Sequence, residues 1–120
     1  MASAITSGMR NMVRVLDKTA CIATYSVSGK TTLRAARERA ITPILGLTPD
    51  EHVANQLALV WGVLPVKTRQ IKDIGQISPI AIQEAKKRKM TNTGDKIIIT
   101  AGIPFAQKGN TNILHIAIVE

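Results

Sequence analysis

The sequence predicts an α/β protein in which helices cover both faces of a mainly parallel sheet. Segments with apolar residues at helical spacing alternate along the chain with short apolar runs that lack this spacing. Alternation of this kind is typical of parallel strands joined by crossover helices. The connection between the last two runs is too short for a crossover helix, so these two strands are expected to be antiparallel.

The chain begins with a predicted helix, a strand and a second helix. Apolar residues recur at helical spacing over residues 3–16, whereas residues 21–25 form an apolar run typical of a buried strand. A polar turn at residues 26–31 leads into a basic helix over residues 32–39. Leu33 and Ala36 are expected to face inward from this helix.

The next predicted unit is a buried strand over residues 43–47 and the helix that follows it. Thr48 is expected to cap this helix, because Pro49 suits the first helical position and Glu51 completes a capping box. Trp61, near the end of the helix, is expected to lie in the core.

The last unit contains a short strand, a helix and two further strands. Residues 63–66 include a proline, which indicates an edge strand or a strand end, and Ser78 followed by proline opens a helix. Strands are predicted over residues 96–101 and 113–119. If the last strand lies at a sheet edge, its apolar side chains need covering, and a second copy of the chain would cover them.

Length and composition indicate one domain over residues 1–120, with 45% apolar residues to build a core. Cys21 is the single cysteine, so no intrachain disulfide forms, which fits a reducing cytoplasm. No apolar stretch approaches the length of a membrane helix, and we expect no membrane partner.

The net charge of +8 predicts attraction to anions without identifying them. A phosphorylated metabolite, a nucleic acid and an acidic partner surface all remain open. Aromatic residues make up 2% of the chain, which makes nucleic acid the weaker alternative, because single-stranded binders rely on aromatic stacking.

The segment between the first strand and the second helix is a candidate phosphate-binding site. Free N–H groups at the start of a helix attract anions, Gly29 permits close approach, and Lys30 adds a full charge. A P-loop is excluded because Thr24 stands where its first glycine is required. A simple capped turn is the alternative. The candidate residues are Ser26, Ser28, Gly29, Lys30, Thr31 and Thr32.

A second candidate segment follows the strand at residues 96–101, whose carboxyl end should open on the same edge of the sheet. It contains Lys108, Gly109, Asn110 and Thr111, which are expected to cover the far side of the ligand. The alternative is a flexible hairpin loop. No nucleophile triad, metal-ligand cluster or carboxylate pair is evident in the sequence, although an enzyme acting on a phosphorylated substrate in the same cleft stays open.

Five segments, in order and in register, resemble the C-terminal domain of pyruvate kinases, especially those of bacilli and related bacteria. They are TYSVSGKT at residues 24–31, PILGLT at 43–48, LALVWGV at 57–63, GDKIIITAGIP at 94–104 and GNTN at 109–112. The resemblance implies a three-layer α/β/α sandwich with a five-stranded, mostly parallel sheet and an antiparallel last strand. It also implies a role in an enzyme that transfers phosphoryl from phosphoenolpyruvate to ADP.

In that family the chemistry belongs to a separate barrel domain with its divalent metal and potassium. The chain contains nothing of that barrel, so we expect it to be non-catalytic in isolation and to hold no cofactor. The resemblance instead implies a regulatory and subunit-contact domain of a homo-oligomer that binds a phosphorylated effector. Ser26, Ser28, Gly29, Lys30 and Thr31 match the phosphate-binding loop, and the loop at residues 108–111 matches the segment that closes over the effector.

Overall fold

A five-stranded sheet lies at the centre of the fold. Its strands are β1 (Thr19–Tyr25), β2 (Ile44–Thr48), β3 (Val63–Lys67), β4 (Lys96–Ala101) and β5 (Ile113–Ile118). Their order is β3-β2-β1-β4-β5, with β5 antiparallel to β4 and every other pairing parallel. This computed structural model describes residues 2–16, 18–38, 42–102 and 113–120. The predicted mixed sheet is confirmed.

Helices cover both faces of the sheet, as predicted. The helices are α1 (Ala2–Val15), α2 (Lys30–Arg37), α3 (Glu51–Leu57) and α4 (Ile77–Lys87), and a 3₁₀ turn at Ile74–Gln76 precedes α4. Met9 of α1 and Ala35 of α2 pack in one core cluster, whereas Ala81 and Ala85 of α4 belong to the cluster on the opposite face. The three layers are therefore helix, sheet and helix.

The central strand β1 is buried on both faces. Cys21 and Ala23 point towards α4, while Ile22 packs with residues of α1 and α2. A strand covered on both sides needs apolar residues at successive positions, which is why it appears in the sequence as a continuous apolar run.

Helix α2 begins at Lys30, two residues earlier than predicted. Ala36 packs against the core as expected, but the expectation that Leu33 faces inward is wrong. The buried residues of α2 are Thr31, Thr32 and Ala35, whereas Leu33 is 37% exposed. A Cβ atom on Gly46 of β2 would lie only 3.1 Å from Thr32 Cγ2. The small side chains therefore let α2 approach the sheet closely, and the larger Leu33 lies on the outer side.

The predicted cap of α3 is also wrong. Asp50 caps the helix, because its Oδ1 accepts hydrogen bonds from the N–H groups of His52 (2.8 Å) and Val53 (3.2 Å). Thr48 is still part of β2, where it pairs with Lys67 of β3. The parallel ladder thus holds Thr48 in the strand and moves the start of the helix to Glu51.

Trp61 lies outside the core, with 79% of its surface exposed. Helix α3 ends at Leu57, so Trp61 falls in the turn that leads into β3 and not on the buried face of the helix. Its exposure contradicts the sequence prediction.

Helix α4 starts one residue before the predicted cap at Ser78. The 3₁₀ turn runs directly into it, and Asp73 Oδ1 caps this turn by accepting a hydrogen bond from Gly75 N–H at 3.1 Å. Ser78 and Pro79 therefore lie within the first helical turn, where a proline is tolerated.

The two edge strands are β3 and β5. Pro65 lies in β3, which confirms the predicted edge position. At the other edge β5 exposes 59% of Ile118 to solvent. None of the helices in the described part of the chain is long and apolar enough to cross a membrane.

Candidate functional site

The candidate phosphate-binding segment lies at the carboxyl edge of the sheet. The parallel strands β1 and β4 are neighbours and end together, with Tyr25 paired to Ala101. From β1 the chain passes through α2 to β2 on one side, whereas β4 lies on the other side of β1. Ligands of open α/β sheets gather at such a reversal of strand order. Lys108, Gly109, Asn110 and Thr111 lie outside the described residues.

Gly29 sits at the start of α2 in a conformation that favours glycine. Its φ of 88° is left-handed, and it occupies the N-cap position. A Cβ atom at this position would lie 3.1 Å from Val53 Cγ1 of α3. Both backbone geometry and the packing of α3 therefore require a residue without a side chain, and Gly29 itself is buried, with its N–H donated to Ser26 Oγ.

Two serine hydroxyls organise the loop between β1 and α2. Ser26 Oγ accepts a hydrogen bond from Gly29 N–H at 2.9 Å, and Ser26 N–H donates to the carbonyl of Leu47 at 3.1 Å. Ser28 Oγ accepts from Lys30 N–H at 3.4 Å, which is long for a hydrogen bond. Ser26 thus holds the loop from inside, whereas the Ser28 contact contributes little to holding the loop.

The six candidate residues divide into an outward and an inward set. Lys30 is exposed and Ser28 is half-buried, so both side chains reach solvent. The inward set is buried and consists of Ser26, Gly29, Thr31 and Thr32. The outward set combines a cation with the positive end of a helix dipole, an arrangement that attracts anions.

Two further threonines lie beneath the loop. Thr24 and Thr100 are the penultimate residues of β1 and β4, are paired in the sheet register and are fully buried. Thr24 Oγ1 lies 2.7 Å from Thr32 Oγ1, with either atom able to donate. Helical periodicity does not reveal these residues. Their only signal is a hydroxyl next to the last position of two strands with apolar centres.

Other chemically distinctive groups are scattered. Burial raises the pKa of the Cys21 thiol from an ordinary 9.0 to about 11, so this side chain is a protonated core residue at neutral pH. Within the described ranges, no three His, Cys, Asp or Glu residues come together as metal ligands.

Two open grooves, of about 300 and 210 Å³, are lined mainly by apolar side chains and not by the loop.

Comparison with known proteins identifies the family. The family model described as "Pyruvate kinase, alpha/beta domain" matches residues 3–117. The chain belongs to this pyruvate kinase domain family. The α/β domain is 34% identical to the pyruvate kinase of Methylorubrum extorquens over 98% of the chain and 24% of that relative. It is 36% identical to a pyruvate kinase of Agrobacterium vitis over 94% of the chain and 23% of that relative.

Relatives from bacilli and staphylococci also match. The Geobacillus stearothermophilus pyruvate kinase is 34% identical over 84% of the chain and 17% of that relative. The α/β domain thus spans about a quarter or less of the length of these curated relatives. The resemblance inferred from five short segments is confirmed, while the roles of the loop residues stay a prediction.

Proposed function

We propose that the chain is a regulatory and subunit-contact domain of pyruvate kinase and binds a phosphorylated effector at the loop between β1 and α2. The observation that carries the proposal is the position of Lys30. Its exposed cation is the first residue of α2, directly after the left-handed Gly29, at the carboxyl edge of the sheet. A phosphate placed there meets a full charge and a helix N-terminus together.

Four of the candidate loop residues have distinct parts in the proposed site. Lys30 supplies charge, and Ser28 exchanges its long bond to the Lys30 amide for a phosphate oxygen. Gly29 allows the left-handed turn that starts α2, and Ser26 keeps the loop in shape through its 2.9 Å bond to the Gly29 amide. Lys108, Gly109, Asn110 and Thr111 remain proposed as the cover over the ligand.

The catalytic step itself is assigned to another part of the enzyme. We propose that transfer of phosphoryl from phosphoenolpyruvate to ADP, with its divalent metal and potassium, takes place on a separate barrel domain in the cytoplasm. The α/β domain contributes effector binding and needs no catalytic residue of its own.

Exposed apolar side chains support the proposed subunit-contact role. Beside the β3 edge, Leu59 and Trp61 are 89% and 79% exposed, and Leu64 on β3 is 40% exposed. At the other edge, β5 exposes Ile118. Clusters of large apolar side chains at a surface mark contacts with other polypeptides. We therefore expect the domain to self-associate, which sedimentation velocity at several protein concentrations would measure. If β5 forms the contact, Ile118→Lys should weaken this association.

The effector role is tested by thermal-shift titration at fixed ionic strength with fructose 1,6-bisphosphate, ribose 5-phosphate, AMP and sulfate. Wild type is compared with Lys30→Ala and with Lys87→Ala, which removes an exposed charge at the end of α4. One sugar phosphate should stabilise wild type in a saturable way, by about 2.7 kcal/mol at a hundredfold excess over Kd.

The Lys30→Ala variant should lose this stabilisation while Lys87→Ala keeps it. Equal losses in both variants would show that only net charge matters. No shift with any ligand would reduce the loop to a capped turn and leave the subunit-contact role to stand alone.

A further inference from the structure

Three buried hydroxyl groups lie together on the face of the sheet that α2 covers. Thr24 of β1 and Thr32 of α2 are hydrogen-bonded at 2.7 Å, and Thr100 of β4 is the register partner of Thr24. All three residues are fully buried. Burying a hydroxyl is costly without a hydrogen bond, so a cluster of three in an aliphatic core calls for a specific reason.

The two branches of Thr32 contact two different strands. Its hydroxyl meets Thr24 on β1, and its methyl group lies 3.1 Å from the position of a Cβ on Gly46 of β2. Side chains branched at Cβ have few rotamers in a helix, so both contacts constrain the backbone of α2 directly. Thr32 therefore sets both the height and the rotation of the first turn of α2 over the sheet.

That first turn is also the proposed anion site. Thr32 lies two residues after Lys30 and three after Gly29, whose carbonyl accepts the first helical bond from Leu33 at 3.0 Å. A shift of Thr32 would move the Lys30 amide and side chain with it. The hydroxyl of Thr32 points into the core and not towards solvent, so it cannot itself contact a ligand in this arrangement.

Thr100 extends the cluster towards β4. Its Oγ1 is buried and has no hydrogen-bond partner among the described residues. In the Thr24–Thr32 pair only one hydroxyl proton is used, so the accepting hydroxyl has a proton left for a neighbouring oxygen. Thr100 is the neighbouring residue on the adjacent strand, but in this structure its Oγ1 makes no hydrogen bond with the Thr24–Thr32 pair.

We propose that Thr32 is a positioning residue for phosphate binding, and that its bond to Thr24, with Thr100 beside it, holds the Gly29–Lys30 backbone in the geometry that accepts a phosphate. The inference rests on the proposed function of the loop. It assigns to Thr32 an action through the backbone, in place of the direct ligand contact expected from the sequence.

The test uses the whole chain and inorganic phosphate as the probe. Isothermal titration at fixed ionic strength, at a temperature where each variant is fully folded, gives Kd for wild type, Thr32→Val and Thr32→Ser. Valine keeps the shape of threonine but removes the hydroxyl, whereas serine keeps the hydroxyl. Loss of one buried hydrogen bond that supports the site should raise Kd by about threefold to tenfold in Thr32→Val. The Thr32→Ser variant keeps the hydroxyl contact but loses the methyl contact with Gly46, so its Kd should lie clearly below that of Thr32→Val.

A purely structural role for Thr32 predicts a different result. Its loss would lower the melting temperature of Thr32→Val but leave Kd per folded molecule unchanged, and that outcome would overturn the proposal. If Thr32→Val does not fold, Thr24→Val removes the same bond from the strand side and should raise Kd similarly. An unchanged Kd in Thr24→Val would equally overturn it.

Different titration results contradict the phosphate site itself and the positioning role of Thr32. Absence of phosphate binding in wild type, or binding that survives in Lys30→Ala, overturns the proposed function and the role of Thr32 with it. Binding that depends on Lys30 but not on Thr32 or Thr24 overturns only the positioning role.

Discussion

Replacing Gly29 with alanine should strongly destabilise the domain, for two separable reasons. The residue has a φ of 88°, and a left-handed backbone costs a residue with a Cβ roughly 1–2 kcal/mol. The new Cβ would also lie 3.1 Å from Val53 Cγ1, and overpacking of this kind costs about 1–3 kcal/mol. The sum predicts a loss of about 2–5 kcal/mol in the free energy of unfolding.

Two other glycines separate these contributions. Gly62 has a φ of 82°, but a Cβ there would meet no heavy atom of the described residues within 4 Å, so Gly62→Ala should show only the backbone cost of about 1–2 kcal/mol. Gly46 has no positive φ, but its Cβ would meet Thr32 Cγ2 at 3.1 Å and Val63 Cγ1 at 3.2 Å, so Gly46→Ala reports packing alone. The gain from a less flexible unfolded chain is common to all three variants and cancels in the comparison.

Urea denaturation of the three variants and wild type, followed by circular dichroism, gives the free energies of unfolding, provided that the m-values agree. Adding Val53→Ala to Gly29→Ala should recover about 1 kcal/mol of coupling energy, because the clashing methyl group is removed. If Gly29→Ala costs no more than Gly62→Ala, or Val53→Ala brings no recovery, the inferred contact between α3 and the loop is wrong.

Three further predictions concern residues outside the loop. Asp50→Ala should lower the free energy of unfolding by about 1 kcal/mol, measured by urea denaturation, because it removes the α3 cap. Asp50→Asn should cost clearly less, since asparagine also caps helices. Equal losses in the two variants would argue against a capping role for Asp50. Trp61, the only tryptophan, is 79% exposed, so acrylamide should quench its fluorescence readily in dilute protein, and Trp61→Phe should change stability by less than about 0.5 kcal/mol. Strong protection in the monomer would contradict the exposed position, whereas protection that appears only at high concentration would place a subunit contact beside β3. The thiol of Cys21 has a pKa raised to about 11 in the fold, against 9.0 ordinarily, so the unfolded chain loses its proton first. The contribution of the protonated thiol to the free energy of unfolding is complete below about pH 9, and about 2–3 kcal/mol is lost as the pH rises from 9 to 11. In Cys21→Ala, the free energy of unfolding should therefore depend less on pH over this range.

Much of the fold could be predicted because its signals are local. Strand β4 has the predicted bounds, Lys96–Ala101. A short run of β-branched residues between turn residues favours a strand over a helix. The antiparallel pairing of β5 followed from the length of its connection to β4, and the edge position of β3 followed from Pro65. Five short segments in register were enough to identify the family.

The candidate site was predicted only in part. Gly29 and Lys30 were identified because a glycine and a cation at a helix start have a recognisable chemistry. The inward direction of Thr32 and its bond to Thr24 were not predicted, since these residues are eight positions apart and meet only when α2 lies on the sheet.

The sequence by itself determined the order, type and approximate bounds of the helices and strands, because hydrophobic spacing and turn residues act over a few positions. Tertiary structure decided where α2 and α3 begin and which side of each helix faces the sheet. Spacing defines the period of a helix but not its rotation, and that rotation depends on the surface it meets. The bare position at Gly46 accepts Thr32 and turns Leu33 outward, and the ladder between β2 and β3 holds Thr48 in the strand so that Asp50 becomes the cap.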